Sequence, residues 1–366
     1  MKVFSLPHGI NGSPRRVSMT PRLASIGMAL ALAISATSAS GASDPEFLVN
    51  RAAKLVLAGD NDGALRDLDE AIRLSPNLAA AYSNRGVIYL QKQDYPRAIV
   101  DFDAAIGLDP TRASAFNNRG NAYNELGRHD TAIANYDQAL SLRPIYPLAL
   151  INRGIAHMAL GQFDQALSDV DHAYRLKTEP LARRVRGQIL EKMGDSDGAI
   201  EAYTQAIRLL GTYGEAYGLR ADVYSRLGKL EPALADYDKA LSLGSDDPTN
   251  LNNRCWVRAL MGRDLPLALQ DCDRSVSLQP ESAPARATRA FVHLRMGSLD
   301  LALADADSGL RLDPKDADAL FLRGAARHEL GLGAEAKADI DAATAINPAV
   351  GKPYFDAGVA AWARPG

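Results

Sequence analysis

The chain has 366 residues, with 41 Lys and Arg against 44 Asp and Glu, a formal net charge of -3 and 47% hydrophobic residues. This balance, with no Lys/Arg run, provides no basic field or stripe for phosphates, and nucleic acid is excluded as an expected partner. Length alone would suggest two or three ordinary domains, but internal repetition overrides that count.

At the N-terminus, Lys2, Arg15, Arg16 and Arg22 precede an apolar run from Leu23 to Ile34. The small residues Ser35-Ala36-Thr37-Ser38-Ala39-Ser40-Gly41-Ala42 follow it. This is the layout of a secretory signal peptide over residues 1–42, with cleavage expected after Ala39 or Ala42. A bilayer-spanning helix needs about 20 apolar residues, so no integral membrane span is expected in the mature chain. Met19 is an alternative start. Pro14 occupies the place where a twin-arginine signal prefers Ser or Thr, which favours the general secretory route. No Cys lies near the cleavage region, which disfavours a lipid anchor. The protein is therefore expected to be exported, either periplasmic or secreted.

From Pro45 to about residue 350 the chain is written in copies of one unit. In Ala79 to Arg112, Tyr82, Gly86 and Tyr89 fall at intervals of four and three, and Ala98, Phe102, Ala105 and Leu108 do likewise. Such spacing predicts two amphipathic helices. Between them Asp94 can cap the second helix, and Pro96 sits in its first turn, where a missing N–H costs little. Shifted by 34 residues, the same landmarks return as Phe116, Gly120, Tyr123, Ala132, Tyr136, Ala139 and Pro144.

These aromatic, Gly, Tyr, Ala, aromatic, Ala and Pro slots resemble the tetratricopeptide (TPR) repeat. Nine copies begin near Pro45, Ala79, Ala113, Pro147, Pro180, Gly214, Pro248, Ala283 and Ala317. The seventh carries one extra residue in its turn, around Gly262 to Leu267. The resemblance implies an all-α, right-handed α-solenoid, the TPR superhelix of about nine helix-turn-helix repeats. Residues 351–366 would then hold a C-terminal capping helix, Pro353 to Ala363, with Tyr354, Gly358 and Trp362.

An Arg stands just before the helix–helix contact in all nine copies: Arg51, Arg85, Arg119, Arg153, Arg186, Arg220, Arg254, Arg289 and Arg323. The TPR family usually places an apolar residue there. The second helices carry acids two apart, as in Asp67/Asp69, Asp101/Asp103, Asp169/Asp171, Asp236/Asp238, Asp271/Asp273, Asp305/Asp307 and Asp339/Asp341. A hydrolase or metal-dependent enzyme built on these pairs is the rival reading. Residues two apart on a helix point about 200° apart, however, so one pair cannot share one ion. The expectation is that each Arg crosses its hairpin to one Asp. The fifth copy has Ala202 and Thr204 in place of both acids, and should be the softest hairpin.

Cys255 and Cys272 take the slots of Gly86 and Phe102, which face each other across an antiparallel hairpin. A disulfide is expected in an oxidising compartment, the alternative being two buried thiols. His157 and His293 take the slot of Tyr89 and read as packing. Gly331 to Ala336 spells a dinucleotide fingerprint but lies between helices instead of after a strand. Asp60 to Gly63 and Asp195 to Gly198 lack the closing Glu of a calcium loop and read as capped turns. No cofactor, metal site or catalytic residue is expected.

In the TPR family the first helices line a concave groove that takes a peptide or partner protein. Here the groove slots hold Asn84, Asn117, Asn118, Asn121, Asn124 and Asn152. A row of amides can pair with a peptide backbone without reading its sequence. The slots used by the carboxylate clamp of chaperone-binding relatives are Ser83, Asn117 and Ile151 instead of Lys. Ile151, Ile155 and Met158, then Trp256, Leu260, Phe291, Leu294 and Phe321, offer apolar contacts to a partner. The alternative is that superhelical closure or a second copy of the chain, in a homo-oligomer, covers them.

Overall fold

A computed structural model describes residues 44–177, 179–244 and 246–364. The signal-peptide layout of residues 1–42 lies outside the described residues. These fall into two compact units, one ending at Met193 and the other beginning at Gly194.

The first unit holds α1 (Pro45–Leu57), α2 (Asn61–Leu74), α3 (Ala79–Gln91), α4 (Tyr95–Leu108), α5 (Ala113–Glu125), α6 (His129–Leu142), α7 (Pro147–Ala159), α8 (Phe163–Leu176) and α9 (Pro180–Lys192). In the second are α10 (Ser196–Leu209), α11 (Gly214–Arg226), α12 (Leu230–Ser242), α13 (Pro248–Met261), α14 (Leu265–Leu278), α15 (Ala283–Arg295), α16 (Leu299–Leu312), α17 (Ala317–Glu329), α18 (Gly333–Ile346) and α19 (Lys352–Asp356). Within each unit, consecutive helices pack as antiparallel pairs and each pair packs on the next. Every described element is helical; there is no strand among the described residues.

Local chemistry sets the helix ends. Asp94 accepts a hydrogen bond from the Arg97 N–H at 3.2 Å, while Asp60 and Asp195 accept from Gly63 and Gly198 at 2.8 and 2.9 Å. The two calcium-like turns are thus N-caps. Proline opens α1, α7, α9 and α13 where its missing N–H is harmless.

In the first unit the core is built of small residues and rings. Ala98, Phe102 and Ala105 of α4 are fully enclosed, as are Ala132, Tyr136 and Ala139 of α6. Each buried ring of this size stabilises the fold by about 1.5–3 kcal/mol. Gly120 lets Tyr136 lie against α5, for a Cβ there would stand 2.6 Å from the Tyr136 ring. The extra residue of the seventh copy is absorbed in its turn, where Gly262 and Asp264 both adopt positive φ, at 67° and 55°.

The capping segment is shorter than the expected helix from Pro353 to Ala363. It ends at Asp356, and only a 3-10 turn, Ala361–Ala363, follows. Gly358 at φ 78° and Ala360 at φ 51° break the helical path between them.

Candidate functional site

The repeated arginines make two sets of contacts, not one. Arg85 on α3 reaches Asp101 of its own hairpin through Nε and Nη2 at 2.8 and 2.7 Å. Its Nη1 reaches back to Asp69 of the preceding hairpin at 2.7 Å. The same fork recurs at Arg153 with Asp169 and Asp137, at Arg254 with Asp271 and Asp238, at Arg289 with Asp305 and Asp273, and at Arg323 with Asp339 and Asp307. The expectation of one Asp per Arg is therefore corrected. The 200° divergence of an Asp-x-Asp sends the first carboxylate to its own hairpin and the second to the next one.

Hydrogen bonding to Asp101 holds the Arg85 guanidinium above its ordinary range against the opposing effect of burial. Asp169 and Asp305 do the same for Arg153 and Arg289. The ladder is altered at Arg186, which reaches back to Asp171 at 3.2 Å and has Ala202 in the acid slot of its own copy, and at two further points. Arg119 meets Asn135 at 2.7 Å in place of an acid, and Arg220 finds the Thr204 hydroxyl at 2.8 Å where an Asp would stand. Among the described residues, no group of three or more His, Cys, Asp or Glu side chains could hold a metal.

The amides of the first helices are tied to one another. Asn152 Nδ2 donates to Asn117 Oδ1 at 3.1 Å, and Asn117 Nδ2 donates to Asn118 Oδ1 at the same distance. Asn121 Oδ1 accepts from the Tyr136 hydroxyl at 2.8 Å, and Asn124 Oδ1 lies 2.9 Å from His129 Nδ1. Asn117, Asn121, Asn124 and Asn152 are buried, while Asn84 and Asn118 are half-buried.

The apolar slots differ from the expectation of an open partner surface. Ile151, Ile155 and Met158 are buried in one cluster with Leu181, Val185 and Ile189 of α9. Trp256, Phe291 and Phe321 are each at most 1% exposed. Their rings gather around Tyr354 of α19, with centroids at 5.6, 5.1 and 4.9 Å. Leu260 and Leu294 pack half-buried against this cluster. The physical reason is that first helices of successive repeats in this unit touch, and the C-terminal segment folds onto the rings they share. Neither Tyr354 nor Asp318, which accepts from its hydroxyl at 2.7 Å, was visible as a site residue. The only sequence signal is an aromatic just beyond the last full repeat.

Cys255 on α13 and Cys272 on α14 are fully buried, with Cα atoms 5.7 Å apart and sulfurs at bonding distance. That separation is within the range a disulfide requires.

Models of the TPR repeat match residues 54–93, 86–127 and 120–161, and models of the tetratricopeptide repeat match residues 184–248 and 288–350. A TPR repeat-containing protein of Methanocaldococcus jannaschii is 42% identical over 72 residues, which is 18% of this chain and 13% of that protein. A FAM10 family protein of Arabidopsis thaliana is 32% identical over 119 residues, 30% of this chain and 27% of that protein. The chain thus spans 13% and 27% of the length of these curated relatives. Among solved structures, a tetratricopeptide repeat protein from Parabacteroides merdae superposes with a TM-score of 0.55 at 22% identity, covering 68% of this chain and 98% of that one. PilW, described as a widely conserved type IV pilus biogenesis factor, gives 0.50 at 20% identity, covering 54% and 92%. Both likenesses are of fold. Repeats of this kind build scaffolds for protein–protein interaction. With eight helical pairs packed within the two units and repeat models matched along most of its length, this chain belongs to the tetratricopeptide repeat family.

Proposed function

We propose that the mature chain is an exported, non-catalytic scaffold of the cell envelope that holds an extended segment of a partner protein against its first helices. The observation that carries this reading is the row of amides. Asn84 and Asn118 occupy equivalent half-buried places on α3 and α5, and Asn118, Asn117 and Asn152 run on as a hydrogen-bonded line. The half-buried amides of Asn84 and Asn118 can each donate and accept, which suits a peptide backbone, while the buried Asn117 and Asn152 hold Asn118 from behind. The non-catalytic part rests on the acids, whose carboxylates are engaged by Arg along the ladder. A place in envelope assembly would be of the kind named for PilW, to which this fold is similar.

Export rests on the leader layout of residues 1–42, and in an oxidising compartment Cys255 and Cys272 would form a disulfide. Fractionation of cells making the full chain tests export; retention of an uncleaved chain in the cytoplasm would refute it. For the partner face, a photocrosslinking amino acid at Asn84 or Asn118 in intact envelopes should give adducts that the same probe at Val100 does not. Val100 is 66% exposed on a second helix. Equal adducts from all three positions would refute the assignment.

A further inference from the structure

Two departures from the repeat coincide in the seventh copy. Elsewhere in the ladder an Arg and the acid of its own hairpin lie 16 residues apart, but Arg254 and Asp271 lie 17 apart. The added residue falls in the turn before α14, where Asp264 takes the N-cap place at positive φ and makes no side-chain capping bond. The same copy lacks the ring that interlocks other hairpins. Gly86 faces Phe102 and Gly120 faces Tyr136 so closely that a Cβ would stand 2.9 and 2.6 Å from the ring, whereas here Cys255 faces Cys272. The eighth copy has Ala290 and Ala306 in these slots, so neither hairpin holds a ring there. Cys272 also stands between Asp271, which takes Arg254 and Arg258 of α13, and Asp273, which takes Arg289 of α15.

We propose that the Cys255–Cys272 bridge is a redox-set register clamp, so that α13 and α14 close fully only in an oxidising compartment. The inference rests on the disulfide and export readings above and adds what the bridge controls. A turn longer by one residue lets α14 slide against α13, and with no ring interdigitated between them little side-chain volume resists the slide. A bond between residues on either side of that turn fixes the register directly, at the point where the ladder leaves α14 for both neighbouring helices. On closure the two thiols give up two protons and two electrons to the disulfide of a dithiol oxidant, through a mixed disulfide, and the oxidant leaves as its dithiol. In a reducing compartment this exchange runs backward and the pair stays as thiols. Both sulfurs are enclosed once the hairpin is shut, so the exchange takes place during folding or local opening.

The test compares the full chain refolded with oxidised glutathione and with dithiothreitol, by native-state hydrogen exchange. Because the chain has two Cys only, the samples differ at one bond. Closing a loop of this size corresponds to about 100-fold in the opening equilibrium. The amides of α13 and α14 should therefore exchange about 100-fold faster in the reduced chain, while those of α3 to α6 keep their rates. Cys255→Gly/Cys272→Phe writes the pair of the second copy into the seventh, and should be equally protected in both conditions. Should that variant fail to fold, the wild-type comparison decides alone. Reduced wild type as protected in α13 and α14 as the oxidised chain overturns the proposal, and so does an equal acceleration in α3 to α6. Two alkylatable thiols after refolding with oxidised glutathione would refute the disulfide reading itself; a bridge that forms without altering exchange refutes only the clamp.

Discussion

Removing Arg85 should cost far more than removing one of its two acids, and the structure says which one. Asp101 has a side chain only 4% exposed and is held by a two-pronged guanidinium contact. Asp69 has a side chain 59% exposed and accepts a single bond. Arg85→Ala leaves the Asp101 carboxylate enclosed without a counter-charge, a loss of about 3–5 kcal/mol. Asp69→Ala removes one exposed contact worth about 0.2–1 kcal/mol. Because long arrays do not unfold in one step, the assay is native-state hydrogen exchange, which reads local opening of α3 and α4. A double-mutant cycle should give strong coupling between Arg85 and Asp101 and weak coupling between Arg85 and Asp69. If Asp69→Ala opens these helices as readily as Arg85→Ala, the two arms of the fork are equivalent and burial is not what grades them.

Three further outcomes follow from single contacts. Asn135→Asp gives Arg119 the carboxylate its equivalents have, and should slow exchange in α5 and α6 by about 1 kcal/mol of opening free energy. Gly120→Ala places a Cβ 2.6 Å from the Tyr136 ring, and the forced shift should cost about 1–3 kcal/mol, read as a lowered Tm. Cys255→Ala/Cys272→Ala should lose about 3 kcal/mol if the pair is bridged, and non-reducing peptide maps of exported protein should show the bridge; two free thiols would refute it.

His293 supplies a pH dependence. Burial pushes its imidazole below the usual 6.5, with Asp305 pulling partly the other way. The unfolded chain then binds its proton more readily, so this residue contributes stability above about pH 6.5 that is lost on acidification. A wild-type Tm that falls between pH 7.5 and 5.5 more steeply than that of His293→Gln would agree; parallel slopes would not.

The repeat landmarks carried the helical pairing directly, because a slot such as Gly120 is small for one reason, the ring of Tyr136 across the hairpin. The double contact of Arg85 and its equivalents was missed by a reading that gave each Arg one Asp, although its signal was present. Acids two apart diverge by about 200°, which already requires two partners. What periodicity could not show was the fate of Trp256, Phe291 and Phe321. Slots that look outward in one repeat become interior when a segment with no repeat pattern folds over them, as the short helix carrying Tyr354 does here.

The ladder itself explains why an Arg sits where an apolar residue is usual. An apolar slot tolerates small slides of one helix along another, whereas a guanidinium with a buried carboxylate on one side and a second hairpin's carboxylate on the other fixes both the pair and its neighbour. That specificity is the best-attested use of partly buried charge, and its gap at the fifth copy is informative. Arg220 keeps Asp236 at 2.7 Å but has only the Thr204 hydroxyl at 2.8 Å on the other side. With Ala202 in the first acid slot, α10 contributes no carboxylate to the ladder from either place. Its amides should therefore exchange faster than those of α4, α14 and α16. Thr204→Asp restores the missing arm to Arg220 and should slow exchange in α10 and α11 by about 0.5–1 kcal/mol. If α10 is already as protected as α4, the ladder does not set the stability of the hairpins, and the arginines are held for another reason.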